Sequence, residues 1–337
     1  MKQEHRVALT CTGAVVGAGF ASGREIVVFF SRYGGYAVWL IIFASLVMAG
    51  ICALCMKTAQ RNDFCDRWTM MLAGGKWGRY CSMGLLVVTA GAMLAAAGET
   101  IRLILQVRWA YQLGLLGTLL TAGLLGRRQL KGLGICSAIL MLCLLCALMA
   151  ALTQLPAGAV EISSKYSLLS FLRAALDAFG YASMNMTLAM GVVFACAEWK
   201  VSIQRSAGWF GGSICMLMLL SHYAYSRLST ADSDVFPMVV LLSRLGRNGF
   251  YFAGLLLYLS ILTTLSSVLY ALRTAVESCV LRPSLRFLLW AGLPMAVSGV
   301  GFTSIVDKIY VPGGLVCFAC LFLPMIISLW KQEAIFS

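Results

Sequence analysis

Thr12-Gly13-Ala14-Val15-Val16-Gly17-Ala18-Gly19-Phe20-Ala21-Ser22-Gly23-Arg24-Glu25-Ile26 is the stretch on which the reading of this chain turns. It lies inside an apolar run over 7–31. As one α-helix that run would be about 37 Å long at ~1.5 Å per residue, more than the ~30 Å hydrocarbon core of a bilayer. Gly17, Gly19 and Gly23 crowd its middle, and each glycine costs a helix about 1 kcal/mol relative to alanine, so the run unwinds cheaply there. Ser22-Gly23-Arg24-Glu25 then has the S-x-x-E pattern of a capping box, with Glu25 as the partner of Ser22. That pattern predicts a second half-helix starting at Ser22. The alternative is tight packing of the small-xxx-small type, since Gly13 and Gly17 stand four apart.

The composition around this stretch narrows the class. Of 337 residues, 61% are hydrophobic and only 12% charged, and the mean hydropathy is +0.87. A soluble domain carries about 25% charged residues, so an ordinary soluble enzyme is excluded, as are a disordered chain and a collagen-like fibre. The apolar runs are too long for strands and lack period-two alternation. They predict an all-α, polytopic membrane protein, one transmembrane domain over 1–337. About ten spans of ~21 residues fit the length, at about 7–31, 36–56, 81–104, 109–126, 132–152, 168–197, 207–226, 250–272, 286–304 and 311–330. The polar start, Met1 to Arg6, leads into an apolar stretch without an A-x-A-like cleavage site, so the first span is read as retained. Region 228–248, with Asp232, Asp234 and Pro237, reads as an outer loop carrying a short surface helix.

The net charge is +13, from 26 Lys and Arg against 13 Asp and Glu. No basic tract or nucleic-acid motif accompanies it. The excess follows the positive-inside pattern: Lys57, Arg61, Arg67, Lys76, Arg79, Arg127, Arg128 and Lys131 share one side with Lys2, Arg6 and Lys331. Both termini are therefore expected in the cytoplasm, the protein in the cell membrane, and its partners to be the bilayer and a small-molecule solute rather than nucleic acid.

The sixth span, 168–197, is as long as the first, and Gly180, Ser183 and Asn185 at mid-depth predict a second break. The first and sixth spans hold matching places in two sets of five. Five crossings are odd, so two such sets in tandem have opposite topology. This predicts a 5+5 inverted repeat, 7–152 and 168–331, with broken helices 1 and 6. Interrupted helices at matching positions point to the binding site of a secondary transporter.

Unwound backbone at mid-membrane exposes polar groups that lipid cannot satisfy. The amides around Phe20 to Gly23 sit at the positive end of a half-helix and suit a carboxylate. The carbonyls around Gly13 to Gly17 suit a monovalent cation. In the eighth span, Leu262-Thr263-Thr264-Leu265-Ser266-Ser267 supplies hydroxyls, which coordinate hard cations or bond back to the preceding turn. Asp177 is placed toward the outer vestibule, Glu99 and Arg102 as an i,i+3 pair, Arg24 and Arg173 as interface snorkellers, and His222 as structural. The pairs Cys52/Cys55, Cys143/Cys146 and Cys317/Cys320 have helical i,i+3 spacing and read as packing residues. There is no H-E-x-x-H motif, and Gly19 to Gly23 misses the G-x-S-x-G elbow by one position, so an enzyme is not expected.

The quoted stretch resembles the opening signature of the YkvI-like bacterial membrane proteins and, more broadly, the first helix of the LeuT-fold or amino acid–polyamine–cation transporters. The resemblance implies alternating access driven by sodium or protons, with an amino acid as solute. It implies a sodium ion held by the carbonyls of Gly13, Val16 and Ser260 and the hydroxyls of Thr263 and Thr264, and no other cofactor. Proton-coupled relatives can place a lysine of helix 5 there, and 133–152 contains neither Lys nor Arg. The solute would meet Ala18, Gly19, Phe20, Ala21 and Ser22, with Tyr181, Ser183 and Asn185 opposite. A sensor of the same fold that binds the solute without moving it is the competing expectation.

Overall fold

The computed structural model describes residues 3–62, 75–107, 109–127, 133–153, 167–197, 199, 201–228, 235–277 and 282–336. The run over 7–31 folds as three pieces, α1 (Gln3–Val15), α2 (Ala18–Ser22) and α3 (Arg24–Phe29). Long helices follow: α4 (Ala37–Asn62), α5 (Gly75–Leu105), α6 (Ala110–Arg127), α7 (Leu133–Leu152), α8 (Leu168–Ala197) and α9 (Ile203–Tyr225). A short α10 (Pro237–Ser243) precedes α11 (Arg247–Glu277), α12 (Pro283–Ser298), α13 (Phe302–Lys308) and α14 (310–336). Among the described residues there is no strand.

The distribution of apolar side chains identifies the solvent. Val7, Phe29, Leu40, Ile261 and Phe322 fill the interior. The exterior is apolar too: Trp39, Leu120, Leu169 and Trp330 are each more than 60% exposed. A water-soluble fold does not present such a surface all round. A closed helical backbone wrapped in apolar side chains is what a bilayer requires. The chain is a polytopic all-α membrane protein. Its core is built around α8, which packs on α4 and α14, while α1 packs against α8 and α9 and α5 against α6 and α11.

Three features differ from expectation. The sixth span is not broken: α8 runs unbroken from Leu168 to Ala197. Its polar residues close the ladder instead of opening it. Ser183 donates to the carbonyl of Phe179 (2.9 Å), Asn185 to that of Tyr181 (3.1 Å) and Thr187 to that of Ser183 (2.8 Å), the back-bonding that keeps such groups satisfied in a helix. Gly180 serves packing: a Cβ there would stand 2.9 Å from the carbonyl oxygen of Val311, and one on Gly314 would collide with the Gly180 carbonyl. The two glycines let α8 and α14 cross backbone to backbone.

The ninth span ends at Ser298, short of 304. The chain then bends by 95° into α13, with Gly301 at φ +88° in the region glycine tolerates. Finally, α10 is no surface helix: Pro237, Met238, Val239, Leu241 and Leu242 are buried, packed on α11 and against α2, α3 and α7.

Prolines explain two local irregularities. Single π-turns occupy Leu288–Gly292 and Phe318–Phe322. Pro294 and Pro324 lie just beyond each. A proline lacks an N–H and its ring pushes on the carbonyl four residues back, here Trp290 and Cys320. Both fall in the centre of a π-turn, the usual way a helix absorbs that intrusion.

Candidate functional site

The first helix is interrupted twice. α1 stops because its ladder fails at Gly17, whose amide turns back to the carbonyl of Val15 (2.8 Å) and so does not reach Gly13. Gly17 itself adopts an extended conformation, φ −103° and ψ −159°. α2 restarts at Ala18, four residues earlier than the S-x-x-E pattern indicates. The Ala18 amide finds its acceptor on another helix: the Thr264 hydroxyl of α11, 3.1 Å away. A Cβ on Gly17 would stand 2.9 Å from that same oxygen, so glycine is what lets α11 approach the break.

The second interruption is at Gly23, with φ +79°. Ser22 is not half of a capping box. Its hydroxyl donates to the carbonyl of Gly19 (2.6 Å) and accepts the amide of Arg24 (3.1 Å). Glu25 instead folds inward, its carboxyl lying where a side chain on Gly19 would be. Gly23 also has no room for a Cβ, which would sit 2.7 Å from Cζ and the hydroxyl oxygen of Tyr225.

Val16, Ser260 and Thr263, three of the five residues expected to hold a cation, come together at the first break, and Thr264 is taken by the Ala18 amide. A small cavity of about 10 Å³ is lined by Val16, Gly17, Ala21, Ser260 and Thr263, with Leu140, Met141 and Leu144 of α7 closing it. A space of that size matches one water molecule or a bare ion. Thr263 donates its proton to the carbonyl of Ser260 (3.0 Å), which leaves its oxygen lone pairs available. Ser266 and Ser267 are spent on their own helix, bonding back to Leu262, Thr263 and Thr264. Gly13 faces open space.

The residues expected to meet a solute are all buried: Ala18, Gly19, Phe20, Ala21 and Ser22 on one side, Tyr181, Ser183 and Asn185 on the other. The Tyr181 ring packs on Phe29 and Phe30, with centroids 5.2 Å apart in each pair. Its hydroxyl lies by the Glu25 carboxyl. Ser183 and Asn185 are held by the back-bonds of α8. A larger cavity, about 30 Å³, lies further along between α5, α8 and α11, lined by Ser82, Leu86, Thr187, Met190, Phe194 and Ala271 among others. Both spaces are smaller than an organic solute, so the helices are closed around the site.

Charged pairs close the end of the molecule beyond α2. Arg24 binds Asp307 of α13 through two contacts, Nη2 to Oδ2 at 2.7 Å and Nε to Oδ1 at 3.3 Å. Arg32 pairs with Asp177 of α8 at 2.7 Å, and the hydroxyl of Tyr33 donates to the same carboxylate. Ser31 bonds Nδ1 of His222 at 2.9 Å. Glu99 and Arg102 form their i,i+3 pair at 2.6 Å. Sequence reading missed Asp307 and the placing of Thr89 and Tyr310, because partners so distant along the chain leave no local trace. Two adjacent charges, Arg24-Glu25, in an apolar run were the available signal that both are engaged.

No family model matches the chain. It is 25% identical over 334 residues to a Bacillus subtilis protein described as uncharacterized membrane protein YkvI, covering 93% of each. A crystal structure of an Eremococcus coleocola manganese transporter in complex with an aromatic bis-isothiourea substituted compound aligns with a TM-score of 0.42 and 14% identity. That alignment covers 98% of this chain and 72% of the other.

Proposed function

We propose that this membrane protein is a secondary active transporter of a small organic solute, an amino acid, driven by sodium through alternating access. One observation carries the reading: the first helix is broken at Val16–Gly17, and α11 supplies Ser260, Thr263 and Thr264 to the opened backbone. Intramembrane backbone without helical partners is tolerated only where protein, water or a guest satisfies it. At this break the guest space has the size of one ion and is lined on one side by Val16, Gly17, Ser260 and Thr263, whose carbonyls and hydroxyls are the kind of donor a hard cation takes.

In this reading the closed end, with Arg24–Asp307 and Arg32–Asp177, faces outward, and both termini are cytoplasmic. The spans are two inverted repeats, 7–152 and 168–331. Outward opening parts the two ion pairs and carries α3 away from α13 and α8. The plasma membrane is the site of action, and coupling to protons is the variant to distinguish.

Uptake of labelled amino acids into proteoliposomes tests the reading. Uptake is expected to fall at least tenfold when choline replaces sodium, and likewise when Thr263→Ala is combined with Thr264→Ala. Uptake insensitive to both changes removes the sodium site. Binding of amino acids without flux under any gradient replaces transport with sensing.

A further inference from the structure

Among the described residues Glu25 is the one buried acid that the proposed cation site and the outer ion pairs leave unused. It is 5% exposed, and among the described residues no cation pairs with it. Its chain neighbour Arg24 turns to Asp307. The titratable groups that bear on Glu25 are Tyr181 on α8 and Tyr310 on α14; Tyr225 on α9 stands over Gly23 and Asp307 on α13 faces Arg24, and none of these is cationic. Tyr310 is 1% exposed and Thr89, on α5, 2%. Neither hydroxyl has a hydrogen-bond partner, although the two lie close together where α5 meets α14; Tyr310 is within electrostatic reach of Glu25, beside the crossing where Gly180, next to Tyr181, meets Val311. Buried polar groups are nearly always satisfied, and unsatisfied ones ask for a missing partner. Here an acid and two orphan hydroxyls from α3, α5 and α14 ask together.

We propose that Glu25, Tyr310 and Thr89 form a subsite for a protonated amine, so that the solute carries a cationic nitrogen. An ammonium group offers a positive charge and three N–H donors, one for the carboxylate and one for each hydroxyl. The rings of Tyr181, Phe29 and Phe30 form the adjoining wall, a surface that attracts organic ammonium. A bare metal ion wants a fuller shell of oxygens than one carboxylate and two hydroxyls supply. The carboxyl now rests over Gly19, within the stretch expected to meet the solute. This inference rests on the transport reading for the identity of the guest, since it places the amine end of that same solute.

The test is thermal stabilisation of the purified full-length protein by three mixtures. The first is the standard L-amino acids. The second is primary amines from methylamine to phenethylamine. The third is 2-hydroxy acids (glycolate, lactate and phenyllactate), which keep the carboxylate and lose the amine. Amino acids and amines are expected to stabilise the wild type and hydroxy acids not. Glu25→Gln is expected to raise the concentration for half-maximal stabilisation at least tenfold, Glu25→Asp less, and Tyr310→Phe severalfold. Equal stabilisation by hydroxy acids overturns the amine subsite, while uptake of those acids leaves transport standing. Stabilisation by amines without flux keeps the subsite and removes transport. An unchanged midpoint in Glu25→Gln, or in Tyr310→Phe should Glu25→Gln fail to fold, overturns the proposal. So does silence from all mixtures, or a full response to sodium or potassium chloride to which amines add nothing.

Discussion

Replacing Gly23 with alanine separates two physical costs that the structure places at one residue. The first is conformational. At φ +79° and ψ −15° an L-residue is left-handed, which costs about 1–2 kcal/mol. The second is steric. The added Cβ would stand 2.7 Å from Cζ and the hydroxyl oxygen of Tyr225 and 3.1 Å from Cε1. That ring is 1% exposed, and its hydroxyl sits on the Met238 sulfur at 3.5 Å, so it has nowhere to retreat. Overpacking of this kind costs about 1–3 kcal/mol. Together Gly23→Ala should destabilise by about 2–5 kcal/mol. Gly13→Ala is the control, because its Cβ meets open space inside α1 and gains up to about 1 kcal/mol of helix propensity. The assay is thermal unfolding in detergent, followed by the loss of the monodisperse size-exclusion peak. Gly23→Ala should fall by several degrees and Gly13→Ala should not. In the background of Tyr225→Leu, which removes the obstructing ring, Gly23→Ala should cost only the conformational part, about 1–2 kcal/mol. A Gly23→Ala protein as stable as wild type, or one whose cost is the same with and without Tyr225, refutes the two-part account.

Further expectations concern the seat of the break and the packing around it. Thr264→Ala strips the Ala18 amide of its acceptor and should destabilise by about 1–3 kcal/mol, the usual cost of a buried orphan donor, whereas Thr264→Ser should retain most of the stability; equal melting of the two variants contradicts the bond. Gly314→Ala forces apart α8 and α14 where the Gly180 carbonyl fills the space and should cost about 1–3 kcal/mol, read from the same unfolding assay, with no loss counting against the close crossing. Asp307→Asn weakens the two-point grip on Arg24 and should raise hydrogen exchange of the 24–36 amides measured by mass spectrometry; unchanged exchange means that the pair does not hold that end shut.

The positions of the long helices were legible because hydropathy over twenty residues is a collective signal that single substitutions do not erase. The break in the first helix was legible for a related reason: Gly17, Gly19 and Gly23 lower helix propensity together. Where the helix restarts was not. The S-x-x-E pattern pointed to Ser22, yet α2 begins at Ala18 because Thr264, 246 positions away, captures that amide. The sixth span shows the same limit from the other side. Gly180, Ser183 and Asn185 looked like a break, but the hydroxyl and amide bond to their own preceding turn while the glycine admits α14. Composition alone does not say which of these a small polar residue will do. Glu25 could be assigned as a cap from its spacing, and only the neighbours brought by α5, α8 and α14 show it to be an acid with other business.

The paired interruptions of the first helix, at Val16–Gly17 and Gly23, have a mechanical consequence. A rod with a single elbow is a lever, and lifting one arm must tilt the other. A rod with two elbows holds a short crankpin between them. The five residues of α2 can roll about their own axis while α1 and α3 keep their bearings in the surrounding helices. Under the proposed transport cycle such a linkage would let the wings on either side of the bilayer be uncoupled in time, with the turning part beside the small cavity at the first break.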